Sequence, residues 1–160
     1  MTRIPALGRR GEGWVVLQVL LFALIAVLGA VNLPSADPGA AGLVVIGLGV
    51  VLGFLGGLVI LQGLRGLGRN LTPVPYPRDD ATLVRDGIYG RIRHPIYAGT
   101  MALALAWTCI TLSLPALVAT LVLLMVLDLK ARREEAWLVD RYPEYDAYRA
   151  ATHRFVPGLY

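Results

Sequence analysis

The chain is short of charge. Only 16% of its 160 residues are Asp, Glu, Lys or Arg, whereas a soluble domain carries about a quarter. It has one cysteine, Cys109, and two histidines, His94 and His153. A lone cysteine cannot close an internal disulfide, and inside an apolar run it reads as a small buried hydrophobe. Two histidines without a cysteine cluster give no convincing metal site. A phosphate-binding loop and a nucleophile elbow are also missing. The glycine-bearing stretches "GRRGEG" and "GLRGLG" lack the G-x-G-x-x-G order and follow no strand, which argues against a dinucleotide fold.

Apolar residues and glycine are abundant instead. Hydrophobic residues make up 56% of the chain, 18 residues are glycine, and the mean hydropathy is +0.63. The apolar runs are continuous rather than alternating, so they indicate an all-α integral membrane protein and not a barrel. The length fits one membrane domain over residues 1–160. The net charge of +4 suggests a nucleic-acid partner at first sight. However, the basic residues form three clusters that flank apolar runs, a pattern of membrane topology, so no nucleic acid is expected.

Four spans are expected, at about 14–33, 41–64, 96–112 and 115–129. A cleaved signal peptide competes for the first run, but that run is long for one and no small-x-small site follows it. "PSADPGA" turns the chain into the second run, where Gly49, Gly53 and Gly57 recur every fourth residue and offer bare backbone to a neighbouring helix. The polar stretch from Arg65 to His94 contains "TPVPYP", which blocks regular helix. "SLP" at Ser113–Pro115 folds the last apolar run into a hairpin. Its second arm runs on as helix through "KARREEAWLVDRY", and one more short helix and an irregular end follow.

Lys and Arg number three before the first span, none in the next turn, six in the long loop, none in the hairpin turn and six after the last span. Both termini and the long loop are therefore expected on the cytoplasmic side of a plasma membrane of bacterial type. This puts the two polar regions, loop and tail, on one face of the bilayer.

Those regions hold the only groups capable of chemistry. Pro95 suits the first position of the third span, leaving free amides near Ile96 and Tyr97 where an anion is favoured, beside Arg91 and Arg93. The plain alternative is that these arginines snorkel. Lys130 and Glu134 lie four apart, and a solvated ion pair is the simple reading. Glu134 and Glu135 point about 100° apart on a helix, so one can pair with a base while the other faces the bundle. A carboxylate held inward at membrane depth needs a cationic partner, from protein or ligand.

The pattern Gly87-x-Tyr89-x-x-x-Arg93-His94-Pro95-x-Tyr97-x-Gly99 resembles the signature of the isoprenylcysteine carboxyl methyltransferase family, and is similar to that of the phospholipid N-methyltransferases. "EEAWL" at 134–138 and the Tyr-rich tail ending in Arg154-Phe155-x-Pro157 resemble its second half. The resemblance covers a core of about 83–158.

It implies a membrane methyltransferase that uses S-adenosylmethionine in a pocket capped by the loop and the tail. Tyr89, His94, Tyr97 and Gly99 would line that pocket, with Glu134 and Glu135 as the acidic contact and Arg93 and a base of "KARR" binding or orienting. His94, Arg93 and Glu135 are the implied catalytic group. The acceptor would be a lipid or isoprenoid, carboxylate or amine, drawn from among the membrane lipids. A carboxylate needs no base, whereas an ammonium must first lose a proton, and His94 is the nearby group of suitable chemistry. Two other readings compete: a sterol-reductase-like enzyme using a reduced nicotinamide cofactor, which this short chain fits poorly, and a non-enzymatic membrane scaffold.

Overall fold

The computed structural model describes residues 4–34, 37–76 and 80–158. Parts of the "PSADPGA" and "TPVPYP" stretches lie outside them. The described residues form five α-helices and no strand: α1 (Glu12–Val31), α2 (Gly39–Leu67), α3 (Pro95–Thr111), α4 (Leu114–Arg141) and α5 (Tyr145–Ala151). Helices α1, α2 and α4 are long and apolar enough to cross a membrane, while α3 is apolar but has only 17 residues. Each of these four helices begins within a few residues of an expected apolar run, and α4 ends well beyond its own. The long polar segment contains two 3-10 turns, Gly68–Asn70 and Gly87–Gly90.

The hairpin between α3 and α4 has a clear local cause. Leu112 takes a left-handed conformation that ends α3. The Ser113 hydroxyl then accepts from the Ala116 amide at 3.2 Å and caps α4, and it donates to the Leu28 carbonyl of α1 at 3.0 Å. Beyond Leu129, α4 continues unbroken through the charged segment to Arg141. This continuity carries Glu134 and Glu135 on a rigid rod toward the loop.

Packing follows membrane logic. Helix α1 lies mainly on α4, where Trp14, Leu21 and Ile25 meet Leu123, Val126 and Leu127. Helix α2 lies mainly on α3 and buries only glycines, Gly49, Gly56 and Gly63, while Leu48, Val51, Phe54 and Leu55 point outward. The expected face of Gly49, Gly53 and Gly57 is thus corrected: a Cβ on Gly57 would meet nothing within 4 Å. Steps of four residues drift about 40° each around a helix, so the contact line steps by seven instead. Cys109, expected buried, is only half-buried, at the contact with Gly49.

Gly99 is the tightest point of this contact. A Cβ there would lie 2.5 Å from the Gly56 carbonyl oxygen, which is backbone and cannot swing aside. Gly99→Ala should therefore destabilise the protein by about 1–3 kcal/mol, read as a lower melting temperature in detergent. Gly57→Ala should melt like wild type; equal melting of both variants would refute the close contact.

Candidate functional site

The loop and the tail are joined through their backbones. The Arg93 amide donates to the His153 carbonyl at 2.9 Å, the His94 amide to the Arg154 carbonyl at 3.1 Å, and the His153 amide to the Arg91 carbonyl at 3.0 Å. Tyrosine hydroxyls add two ties, Tyr148 to the Tyr89 carbonyl and Tyr142 to the Ala81 carbonyl, each at 2.7 Å. The Tyr89 hydroxyl donates to the Gly63 carbonyl of α2 at 3.2 Å. Two irregular segments are thereby fixed on the ends of α2, α3 and α4.

Glu135 lies at the centre of this joint and is only 3% exposed. Its carboxylate accepts from Arg93 Nε at 2.9 Å and from Arg154 Nη2 at 3.0 Å, and lies 3.3 Å from His94 Nε2. Arg93 also donates to the carbonyls of Arg149 and Thr152. Arg154 reaches Asp128 at 3.1 Å. One buried acid thus ties the loop (Arg93, His94), the tail (Arg154) and α4 together.

Glu134 is placed differently. Its side chain is 26% exposed, and Oε2 accepts from the Tyr97 hydroxyl at 2.8 Å and lies 3.9 Å from His94 Nδ1. The His94 and Tyr97 rings stack, 5.4 Å apart and nearly parallel. The expected Lys130–Glu134 ion pair does not form. Lys130 Nζ donates to Gln18 Oε1 of α1 at 2.7 Å and sits 4.9 Å from the centroid of the Tyr97 ring.

Two adjoining cavities flank these groups and share Leu67, Thr72, Tyr89, Arg93, His94 and Glu134 as wall residues. The smaller, of about 100 Å³, lies under the loop residues Ala81–Val84 and the tail residues Tyr142, Tyr145 and Tyr148. The larger, of about 320 Å³, extends to Gln18, Pro95, Ile96, Tyr97 and Lys130. No side chain caps the start of α3, which opens onto this larger space. Burial, with Glu134 second, pushes the Tyr89 phenol well above its ordinary value. Burial likewise raises Tyr145, and it raises Tyr148 to about 12. These phenols therefore stay protonated and act as donors. The Tyr145 hydroxyl is buried with no hydrogen-bond partner among the described residues.

Tyr89, Arg93, His94, Tyr97 and Glu134 come together on cavity walls, while Glu135 and Gly99 line neither cavity. Glu135 lies behind the wall, and Gly99 packs on α2. Sequence reasoning did not single out Arg154, Tyr145, Tyr148 or Gln18 as site residues. The arginine and the tyrosines stood within the recognised tail motif. Gln18 carried no signal, being one of two side-chain amides in the first apolar run, with Asn32.

No curated protein matches the chain. The model of the phospholipid methyltransferase family matches residues 44–145. The match opens within α2, well before the motif resemblance begins, in keeping with the close seating of α2 on α3. A match spanning most of the chain, over α3, α4, the loop and most of α2, assigns it: the chain belongs to the phospholipid methyltransferase family, a family of membrane methyltransferases.

Proposed function

We propose that the chain is an S-adenosylmethionine-dependent methyltransferase. It acts on a lipid-like or isoprenoid acceptor at the cytoplasmic face, with α3 as a fourth span and a catalytic core of about 83–158. The observation that carries this reading is the loop–tail joint, which sets a half-exposed acid, Glu134, over two linked cavities. The count of Lys and Arg by segment supports the orientation.

S-adenosylmethionine supplies an activated methyl group on a sulfonium, carried with an ammonium, a carboxylate and an adenine. The residues present fit those groups. Glu134 suits the ammonium. The uncapped start of α3 suits the carboxylate. Tyr89, Tyr145 and Tyr148 offer rings for the adenine or the sulfonium, and the partnerless Tyr145 hydroxyl is free to bond a ligand. Arg93 and Glu135 hold His94 and the tail in place, so they act as positioning residues. His94, between the two glutamates, is the group to take a proton from an ammonium acceptor. The lid formed by Ala81–Val84 and α5 keeps water from the transfer path.

Thermal melting of the detergent-purified chain with S-adenosylhomocysteine tests this reading. At a hundredfold excess over Kd the product analogue should stabilise the chain by about 2.7 kcal/mol. A lipid extract incubated with labelled cofactor should yield a labelled lipid. No shift together with no labelled product would favour a scaffold.

A further inference from the structure

We propose that Lys130, oriented by Gln18, is the anion-recognition point for the acidic group of the acceptor lipid, whose chain lies in the apolar groove between α1 and α3. In calling that lipid the acceptor, the proposal rests on the methyltransferase reading.

Lys130 is 2% exposed. An ammonium has three donors, and burying one is costly unless an anion meets it. It meets one neutral amide oxygen, on Gln18, and the face of Tyr97. Among the described residues no carboxylate forms an ion pair with it. Nearby, Arg93 and Arg154 are matched by Glu135, and Arg154 again by Asp128; the half-buried Arg133 lies over the Trp137 ring, with its Nε unpartnered among the described residues, but it lines neither cavity. Glu134, one turn further along α4, gives its Oε2 to Tyr97 instead. The ammonium therefore lies on the wall of the 320 Å³ cavity as a charge that a ligand can complete.

A second space lies further along α1 and α3, on their apolar parts. A groove of about 310 Å³ runs between Phe22, Ile25 and Ala26 of α1 and Thr100, Leu103 and Trp107 of α3. Phe22 stands one turn beyond Gln18, and Thr100 one turn beyond Ile96, so the groove starts about one helical turn from the larger cavity. From Thr100 to Trp107 it extends about 10 Å along α3. Leu103 and Trp107 on its rim are exposed, which leaves a side entrance for an apolar chain. A buried cation at the foot of an open apolar groove is complementary to a single-chain or double-chain amphiphile with an oxyanion at its head. The cofactor's carboxylate, placed at the start of α3, shares this cavity, but the ammonium stands across it on α4 beside Gln18 of α1. Lys130 and Gln18 line only the larger cavity, away from the loop and the tail tyrosines.

The test uses the full chain in neutral detergent, with hexadecyl phosphate, hexadecanoic acid and hexadecanol as probes and binding read by thermal-shift titration. Wild type should bind at least one of the anions about tenfold or more tighter than the alcohol. The phosphate leading would indicate a phospholipid head, and the carboxylate leading a carboxyl acceptor. Lys130→Met should erase the preference, and Lys130→Arg should keep most of it. S-adenosylhomocysteine affinity should fall clearly less in Lys130→Met than anion affinity does. If that variant fails to fold, Lys130→Gln, able to keep a hydrogen bond to Gln18, carries the same expectation. The proposal is overturned by equal binding of alcohol and anions to wild type, by a preference that survives in Lys130→Met, or by an equal loss of S-adenosylhomocysteine binding. If wild type sorts the probes as expected yet ignores S-adenosylhomocysteine, the anion site stands and the methyltransferase reading fails.

Discussion

Glu135→Ala should release the C-terminal tail and abolish S-adenosylhomocysteine binding. The substitution leaves the Arg93 and Arg154 guanidiniums without their shared carboxylate, with side chains only 8% and 15% exposed. Stripping one member from a buried ion cluster costs about 3–5 kcal/mol, because Arg93 stays desolvated without a carboxylate and Arg154 keeps only Asp128. That is a large share of the about 5–15 kcal/mol that holds a domain together. The loss should be local first, since α1, α2 and the apolar part of α4 pack independently of Glu135. Limited proteolysis should cut between α4 and the end of the chain, and the melting temperature should fall. Glu135→Gln should behave similarly, because an amide can accept from one arginine but cannot neutralise two. Asp146→Ala serves as the control: its ion pair with Arg149 is exposed, and such pairs contribute about 0–1 kcal/mol. A Glu135→Ala protein that resists protease and melts like wild type would show that the joint is held by its backbone bonds alone.

The two adjacent acids show how much of this site can be read from the chain. Helical geometry alone states that Glu134 and Glu135 diverge by about 100° and that one of them takes a base. It cannot say which, because the deciding partner, Arg154, is 19 positions away and arrives only when the tail folds back. The arginine was visible as part of a tail motif, but its target was not. The helices were legible because continuous apolar runs bounded by Pro, Gly and charge leave few alternatives, and Pro95 and Ser113 mark two starts. The register of the α2–α3 contact was not legible, since Gly49, Gly53, Gly56, Gly57 and Gly63 offer several glycine lines and only the crossing geometry selects one. Lys130 misled for a related reason. Its i+4 neighbour suggested a local pair, whereas the real partner sits on a helix more than a hundred residues earlier.

Glu134→Gln should lose about a hundredfold in S-adenosylhomocysteine affinity while the free protein melts close to wild type. The two halves of this expectation have separate causes. Gln keeps the volume of Glu and still offers an oxygen to the Tyr97 hydroxyl, which in the wild type donates at 2.8 Å. Glu134 makes no contact with Arg93 or Arg154, and its side chain is 26% exposed, so the fold does not depend on its charge. In the proposed site, the cofactor's ammonium does depend on it. Removing one member of an enclosed, hydrogen-bonded charge pair costs about 2–5 kcal/mol of binding, and a hundredfold lies within that range. A cycle with the ligand isolates the pair: S-adenosylhomocysteine lacking its amino group should bind wild type about as weakly as Glu134→Gln binds the intact ligand, and combining both changes should cost little more. Additive losses would mean that Glu134 acts elsewhere, and unchanged affinity in Glu134→Gln would remove the acid contact from the proposed site. Set beside Glu135→Ala, the outcome divides the glutamates by role: one change costs binding and spares the fold, and the other costs the fold and binding with it.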